Sequence, residues 1–362
     1  ALLLAEALAA HGMRAEVVSG GLPPPMPVPA AVGFHQLAPA RSPDAAFTRL
    51  VDADGSALGD AWRVTRRRQL LDLFDRLEPH ALITETFPFG RNLLRFELLP
   101  LLEAARRSRS CRQTITSIRD ILQPKTRPER NREICELLNR YYDQVLVHGD
   151  PSIAGLDYSF DQYDTIRELV AYSGYITAAS SAGAVEHTAS GEVLVSAGGS
   201  PTGLKILETA LAARPLTSLA KRHWRIRVSH AIDAAQFAGL EKQAGGNTSI
   251  ERNRDDFGQR MQRAALSVSQ AGYNTVCDLL ASRAAAVVVP FAEADEAEQT
   301  LRAERLQARG RLVLLAQRDL DAQSLAAAIE RALALDTRFE VDLDGARHSA
   351  ALIARWLEES RR

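Results

Sequence analysis

Three stretches of this chain combine residue types and spacings that suit chemistry. The first is Gly198-Gly199-Ser200-Pro201-Thr202-Gly203, which follows an apolar run at 193–197. Glycines there let backbone N–H groups approach an anion with no side chain in the way; an ordinary strand-to-helix turn uses glycine for the same conformational reason. The second is Gln270-Ala271-Gly272, which closes the apolar run Leu266–Ser269 and opens a helical stretch over 275–281. A helix starting beside such a glycine offers free N–H groups to an anion. Thr275 and Asp278 share one face of that helix near its start. The Asp278 carboxylate either accepts hydrogen bonds from a ligand's hydroxyls or interacts with the helix dipole. Thr275 suits a local cap as well as a ligand contact. The third stretch is Glu298-Gln299, beyond an apolar run at 285–289, the pair Pro290-Phe291 and an acidic loop at 293–296. Adjacent hydrogen-bonding side chains suit a ligand with several hydroxyls, and a solvated Glu-rich helix start explains the same composition. Arg302, one turn on, reads as a partner for phosphate or hydroxyl, or as part of an exposed helix face.

The first half holds a second group of candidates, each at the end of an apolar run. Glu85 opens the loop Glu85-Thr86-Phe87-Pro88-Phe89-Gly90-Arg91 and suits a general base, an acceptor of ligand hydroxyls, or a capping and packing carboxylate. Arg91 closes that loop. Arg119-Asp120 and His148-Gly149-Asp150 end two further runs. A lone histidine at a strand end is more often structural than functional. Asp52, Asp54 and Ser56 lack the turn glycine and terminal glutamate of a calcium loop at their places, so that stretch reads as a plain loop. The pair Asp255-Asp256 suits a helix cap at Phe257 better than a metal site.

Alternating elements must carry these residues. Short buried strands are predicted at Ala15–Ser19, Ala81–Glu85, 114–117 and 145–148, with helices at Leu2–Ala10, 62–77, 93–107 and 130–142. The proline-rich stretch at 22–29 and the stretch at 52–59 read as loops. A small-residue stretch at 178–190 breaks the pattern. Alternation resumes at Gly191, with strands at 193–197, 225–229, Leu266–Ser269, 285–289 and 311–315 and a last helix at Gly345–Glu359. Strand–helix alternation implies right-handed crossovers and parallel sheets. The expected division is 1–176, a linker at 177–190, 191–344, and a helix at 345–362 that crosses back to the first domain.

The segment 266–303 resembles the donor half of GT-B glycosyltransferases, and in particular the family 28 carboxy-terminal domain. Gly272, Thr275, Asp278, Pro290, Phe291, Gln299 and Ala303 fall in register with that family's pattern. Asp278, Glu298 and Arg302 stand where the pattern has Glu, Gln and Asn. The resemblance implies an α/β fold of two Rossmann-like domains with parallel sheets facing across a cleft. It also implies a nucleotide-diphosphate sugar donor, most simply a UDP-sugar, transferred with inversion and without a metal. On this reading Gly199, Ser200, Gln270 and Gly272 line the diphosphate, with Thr275 beside them. Asp278 holds the ribose, Glu298 and Gln299 meet the sugar, and Arg254 marks, by position alone, the loop whose backbone reads the base. Glu85, Arg91, Arg119 and His148 fall to the acceptor side, the acceptor being lipid-linked or a small glycan.

Composition narrows the remaining classes. With 362 residues the chain has room for two domains, and its net charge of −1 offers no footprint for nucleic acid. Its three cysteines, Cys111, Cys135 and Cys277, form no metal spacing, which points to a reduced, cytoplasmic setting. No apolar run reaches the roughly 18 residues of a membrane span, so any membrane contact is peripheral. No cofactor is expected, since a nucleotide sugar would be a substrate. The opening at Leu2–Ala10, a helix with no strand ahead of it, leads to the expectation of about 20 further residues upstream, ordinary for one strand and its loop. A catalytic base upstream of Ala1 is part of that expectation, with Glu85 as the candidate within the sequence. A nucleotide-sugar epimerase and a non-catalytic nucleotide-binding protein are the competing readings.

Overall fold

The computed structural model describes residues 1–362 except 25–26, 44–48, 125–127, 178–190, 199–200, 255, 293–295 and 361–362, and the side chains of 201–202. The chain forms two compact units. Unit 1 comprises Ala1–Gly149, Leu156–Ile176 and Asp344–Arg362; unit 2 comprises Asp150–Gly155 and Thr177–Leu343.

Unit 1 runs α1 (Leu2–Ala10), β1 (Ala15–Ser19), β2 (Val32–Gln36), α2 (Asp60–Leu77), β3 (Ala81–Glu85), α3 (Arg95–Arg107), β4 (Gln113–Arg119), α4 (Pro128–Tyr141), β5 (Gln144–His148) and β6 (Val170–Tyr172). The strands β1 and β2 form a two-stranded parallel sheet, and β3-β4-β5-β6 a four-stranded parallel sheet. The centre of the larger sheet is fully apolar: Ile115, Val145, Leu146 and Val147 are all completely buried. That is the pattern of strands covered on both faces. Leu4, Ala5 and Leu8 of α1 share a core with Ile353 and Trp356 of the last helix of the chain, at Gly345–Glu359. A buried ion pair fixes the other helices. Arg66 of α2 donates Nε and Nη2 to the two carboxylate oxygens of Glu97 on α3, at 2.6 and 2.8 Å. Its Nη1 reaches the carbonyls of Gly20 and Ala38, just past β1 and β2.

Unit 2 runs β7 (Val193–Ser196), α5 (Pro201–Ala213), β8 (Trp224–Val228), α6 (Ala234–Gln243), β9 (Thr248–Arg252), α7 (Phe257–Arg263), β10 (Leu266–Ser269), α8 (Tyr273–Leu280), β11 (Ala285–Val288), α9 (Glu298–Ala308), β12 (Val313–Leu314) and α10 (Ala322–Leu333); the Gly345–Glu359 helix, α11, returns to unit 1. All of its strand pairings are parallel, in the order β12-β11-β10-β7-β8-β9. The first strand of the unit, β7, therefore lies between β10 and β8. Successive connections depart to opposite sides of it, so the carboxyl ends of β7 and β10 form a topological switch point. Val193, Val195, Ile226, Val268 and Val287 fill one face of this sheet with α5 and α10. Strands β2 and β9 were not expected from the sequence; each is short and only partly buried.

Candidate functional site

The switch point of unit 2 collects the residues that the sequence singled out. Gly198 follows β7 and Gln270 follows β10. The Gly198 N–H donates to Oε1 of Gln270 at 2.8 Å, so one side chain spans the two strand ends. The Nε2 of Gln270 is buried and has no partner among the described residues. An unpaired buried amide nitrogen costs about 1–3 kcal/mol, and a ligand oxygen would satisfy it. A side chain on Gly198 would meet Gln270 Oε1 at 2.8 Å, and one on Gly203 would meet the Gly198 carbonyl oxygen at 2.0 Å. Both glycines are thus required by close approach. Gly199 and Ser200 lie outside the described residues.

Gly272 has a different reason to be glycine. It caps the start of α8 with φ −63° and ψ 147°, a conformation open to any residue. A Cβ there would meet nothing within 4 Å. Neither backbone nor packing demands glycine, which leaves open space at the start of α8 as the physical explanation. No side chain caps this helix, and Thr275 is half-buried on its first turn.

Asp278 lies one turn further along α8. No basic side chain among the described residues pairs with it, and burial raises its carboxyl to about 6. Opposite stands Gly258 of α7, where a Cβ would come within 2.9 Å of Asp278 Oδ1. The carboxylate therefore packs directly against Gly258, where any side chain would displace it.

The Glu298 region is organised by α9. Oε1 of Gln299 accepts from the N–H groups of Ala271 and Phe291, both at 3.1 Å. One carboxamide thereby ties together the loops that follow β10 and β11. Glu298 pairs with Arg302 at 2.7 Å. Arg302 itself is neither an exposed helix face nor an open phosphate partner. It is fully buried, stacks over Tyr273 and donates to the Ala271 carbonyl at 3.0 Å. Glu298 and Arg302 thus brace the Gln270 turn from behind.

Arg254 sits exposed in the loop before α7. Asp256, expected to cap that helix, makes no capping bond; its carboxylate takes Arg227 at 2.7 Å and Arg260 at 2.5 Å. Those arginines hold its carboxyl below the usual range despite burial.

In unit 1, Glu85 and Arg91 face each other at 3.5 Å across the mouth of their loop, each about half exposed (52% and 48%). The loop is strained and braced. Thr86 and Arg91 have φ of 69° and 57°, unfavourable for residues with side chains. Both the Thr84 and Tyr142 hydroxyls lie on the Phe87 carbonyl, at 3.1 and 3.0 Å. Arg119 is exposed at the end of β4, in register with His148. His148 is buried, with its ring nitrogens 2.7 Å from Ser117 Oγ and 2.9 Å from Ser173 Oγ. Burial depresses its imidazole to about 3. This histidine ties β4 to β5 and to the segment after β6, and it presents no ring nitrogen to solvent. Sequence reasoning missed Arg227, Gly258, Thr84 and Tyr142. Of these only Arg227 left a signal, as a charge alternating with apolar residues in a predicted strand.

Residues 193–354 match the family model described as the glycosyltransferase family 28 C-terminal domain. Among curated proteins, the chain is 31% identical over 139 residues to the UDP-N-acetylglucosamine--N-acetylmuramyl-(pentapeptide) pyrophosphoryl-undecaprenol N-acetylglucosamine transferase of Glaesserella parasuis serovar 5 (strain SH0165). That alignment spans 38% of this chain and 38% of the relative. Among solved structures, MurG of Acinetobacter baumannii superposes with a TM-score of 0.56 at 16% identity, over 98% of this chain and 94% of that one. The spinosyn rhamnosyltransferase SpnG, complexed with thymidine diphosphate, superposes with a TM-score of 0.59 at 15% identity, over 99% and 92%.

Proposed function

From a chain with the GT-B fold, whose second unit carries a family 28 C-terminal domain, we propose a glycosyltransferase that moves a sugar from a nucleoside diphosphate to an acceptor hydroxyl. The observation that carries this reading is the switch point of unit 2. There an unpaired buried Gln270 Nε2 lies between a glycine turn and an uncapped helix start. Donors of this kind, fixed before the reaction, stabilise charge that develops on a leaving group.

The donor diphosphate lies against the Gly198 turn, Gln270 and the first N–H groups of α8. Asp278, packed against Gly258, accepts the ribose hydroxyls. Gln299 Nε2 meets the sugar, while its oxygen keeps the two loops together. The acceptor hydroxyl attacks the anomeric carbon from the face opposite the diphosphate, and the anomeric C–O bond to phosphate breaks. The electron pair leaves with the diphosphate and the acceptor's proton passes to a base, for which Glu85 is the candidate in unit 1. One displacement inverts the anomeric configuration. Backbone and amide donors carry the leaving charge, so no metal is required in this scheme.

The relative's name supplies the specific form of the proposal: uridine as the nucleoside, N-acetylglucosamine as the sugar and a lipid-linked acceptor. Among the described residues no helix is long and apolar enough to cross a membrane. Work at a cytoplasmic membrane surface would then be peripheral.

The test is a thermal-shift screen of nucleoside diphosphates and their sugar conjugates, with and without chelator. A ligand that binds the folded state raises its melting temperature. Stabilisation by UDP or a UDP-sugar that survives chelation is the expected result; no shift with any nucleotide would remove the donor site. Incubation of the donor without acceptor separates transfer from epimerisation, since an epimerase would change the sugar's configuration there.

A further inference from the structure

Beneath the loop that carries Arg254 lies a closed ring of charges. Glu192, just before β7, holds Arg225 of β8 at 2.9 Å. Arg225 also pairs with Glu251 of β9. Glu251 takes Arg227 at 3.3 Å, and Arg227 takes Asp256 at 2.7 Å. Asp256 takes Arg260 of α7 at 2.5 Å, and Arg260 returns to Glu192 at 3.4 Å. Alternation along β8 sends Arg225 and Arg227 to one face, while Trp224, Ile226 and Val228 fill the apolar core on the other.

The members of this ring are not equivalent. Arg227 is completely buried, whereas Arg260 is one-third exposed at 33%. Arg227 is also the member that grips the loop backbone, donating Nη2 to the Arg254 carbonyl at 3.0 Å. With Asp256 it therefore fixes the loop at two points, and His230 Nε2 holds the neighbouring Asn253 carbonyl at 3.2 Å. Two residues beyond Asp256 stands Gly258, which bounds the Asp278 carboxylate. One guanidinium thus sets both the loop and the wall opposite Asp278. Burying a charge for helix packing alone is costly, since apolar residues of similar volume pack as well or better.

We propose that Arg227 is a positioning residue for nucleoside selectivity. It holds the Arg254 carbonyl where a base would lie and, through Asp256, the start of the helix whose Gly258 packs on Asp278. This rests on the donor-site reading above and adds to it the residue that shapes the nucleoside half of that site. A prediction separates it from a general structural role: perturbing Arg227 weakens recognition of the nucleoside and leaves the diphosphate half intact.

The experiment measures binding of UDP, CDP, ADP and inorganic pyrophosphate by calorimetry. It uses the wild-type protein, Arg227→Gln, Arg227→Lys and Arg260→Gln, each checked for folding by its melting transition. Arg227→Gln should bind UDP about tenfold more weakly, the loss of one hydrogen bond to a charged group. It should also discriminate less between UDP and the other nucleotides, with pyrophosphate affinity unchanged. Arg260→Gln opens the ring at its exposed side and should leave all affinities within about twofold, as for surface ion pairs. If Arg227→Gln does not fold, Arg227→Lys decides. It keeps the charge but lacks the planar fork, so it should lose selectivity while staying folded. Unchanged selectivity in the folded Arg227 variants, or equal losses in Arg227→Gln and Arg260→Gln, would overturn the proposal and leave the donor site standing. A wild-type protein that binds no nucleoside diphosphate would overturn both.

Discussion

Asp278 carries a cost in the ligand-free protein that the proposed donor site would offset. Its carboxyl is raised from 3.8 to about 6 by burial, so ionisation is disfavoured in the folded state. Between those values the folded protein holds a proton that the unfolded chain has released, so stability rises as pH falls through about 6. The full penalty, on the order of 3 kcal/mol, is present above that pH. Asp278→Asn should therefore raise the melting temperature of the empty protein most at pH 8 and by about half as much at pH 5, the gain vanishing only below the unfolded value of 3.8. The same substitution should weaken UDP binding by about 1–3 kcal/mol at pH 8, since hydrogen bonds to a charged acceptor are lost. Wild-type affinity should itself fall as pH drops below about 6; calorimetry across pH 5–8 reads both effects. Gly272 makes the complementary case. Gly272→Val should leave the melting temperature nearly unchanged, because its φ of −63° and open surroundings accept a side chain, yet it should abolish most nucleotide binding. Equal binding by wild type and Gly272→Val would mean that no ligand approaches α8. Both positions were singled out in the sequence, because each stands at a fixed spacing from a helix start. Arg227 was not, because its partners are dispersed over Glu192, Glu251, Arg254 and Asp256, and no local spacing announces them.

At the scale of elements, side chains set how neighbouring pieces meet. Gln299 links the loops after β10 and β11 through two backbone N–H groups. Arg66 and Glu97 link α2 and α3 to the ends of β1 and β2 while nearly fully buried, at 1% and 3% exposure. Removing one member of such a pair leaves a buried charge without its counterion. Arg66→Ala should cost about 3–5 kcal/mol in urea unfolding, while the apolar double replacement Arg66→Met with Glu97→Leu should cost much less. A single-variant loss below about 1 kcal/mol would show that the pair is solvated in solution. The elements with long apolar or periodic runs were readable: α2, α3, β4, β10 and β11 fall within a few residues of their expected places. Strands β2 and β9 were not. Their residues are only partly buried, so the sequence need not alternate or run apolar, and β9 reads TSIER. The helix expected over 275–281 begins earlier, at Tyr273, because Gly272 rather than Thr275 is its boundary.

For the molecule as a whole, strand–helix alternation was enough to foretell two α/β units, because parallel sheets require crossovers of that kind. Strand order was not legible, since it depends on pairings distant in sequence, and it is the order with β7 beside β10 that makes the switch point. The two units also carry opposite responses to acid. His148 in unit 1 is buried and neutral, its folded value depressed from 6.5 to about 3. Between those values the unfolded chain binds a proton that the folded unit refuses, so stability is complete above about 6.5 and is lost as pH falls toward 3. At pH 5 the loss is on the order of 2 kcal/mol. Asp278 acts in the other direction in unit 2, where stability is gained as pH falls through about 6. Hydrogen exchange at pH 8 and pH 5, corrected for intrinsic rates, should therefore show the core amides of β4 and β5 losing protection while those of β7 and β10 hold or gain it. His148→Gln keeps hydrogen-bonding groups for Ser117 and Ser173 without a titrating ring. It should flatten the acid response of unit 1 and leave that of unit 2 unchanged. If both units lose protection together in acid, or if His148→Gln leaves the loss in unit 1 in place, the buried imidazole is not its source.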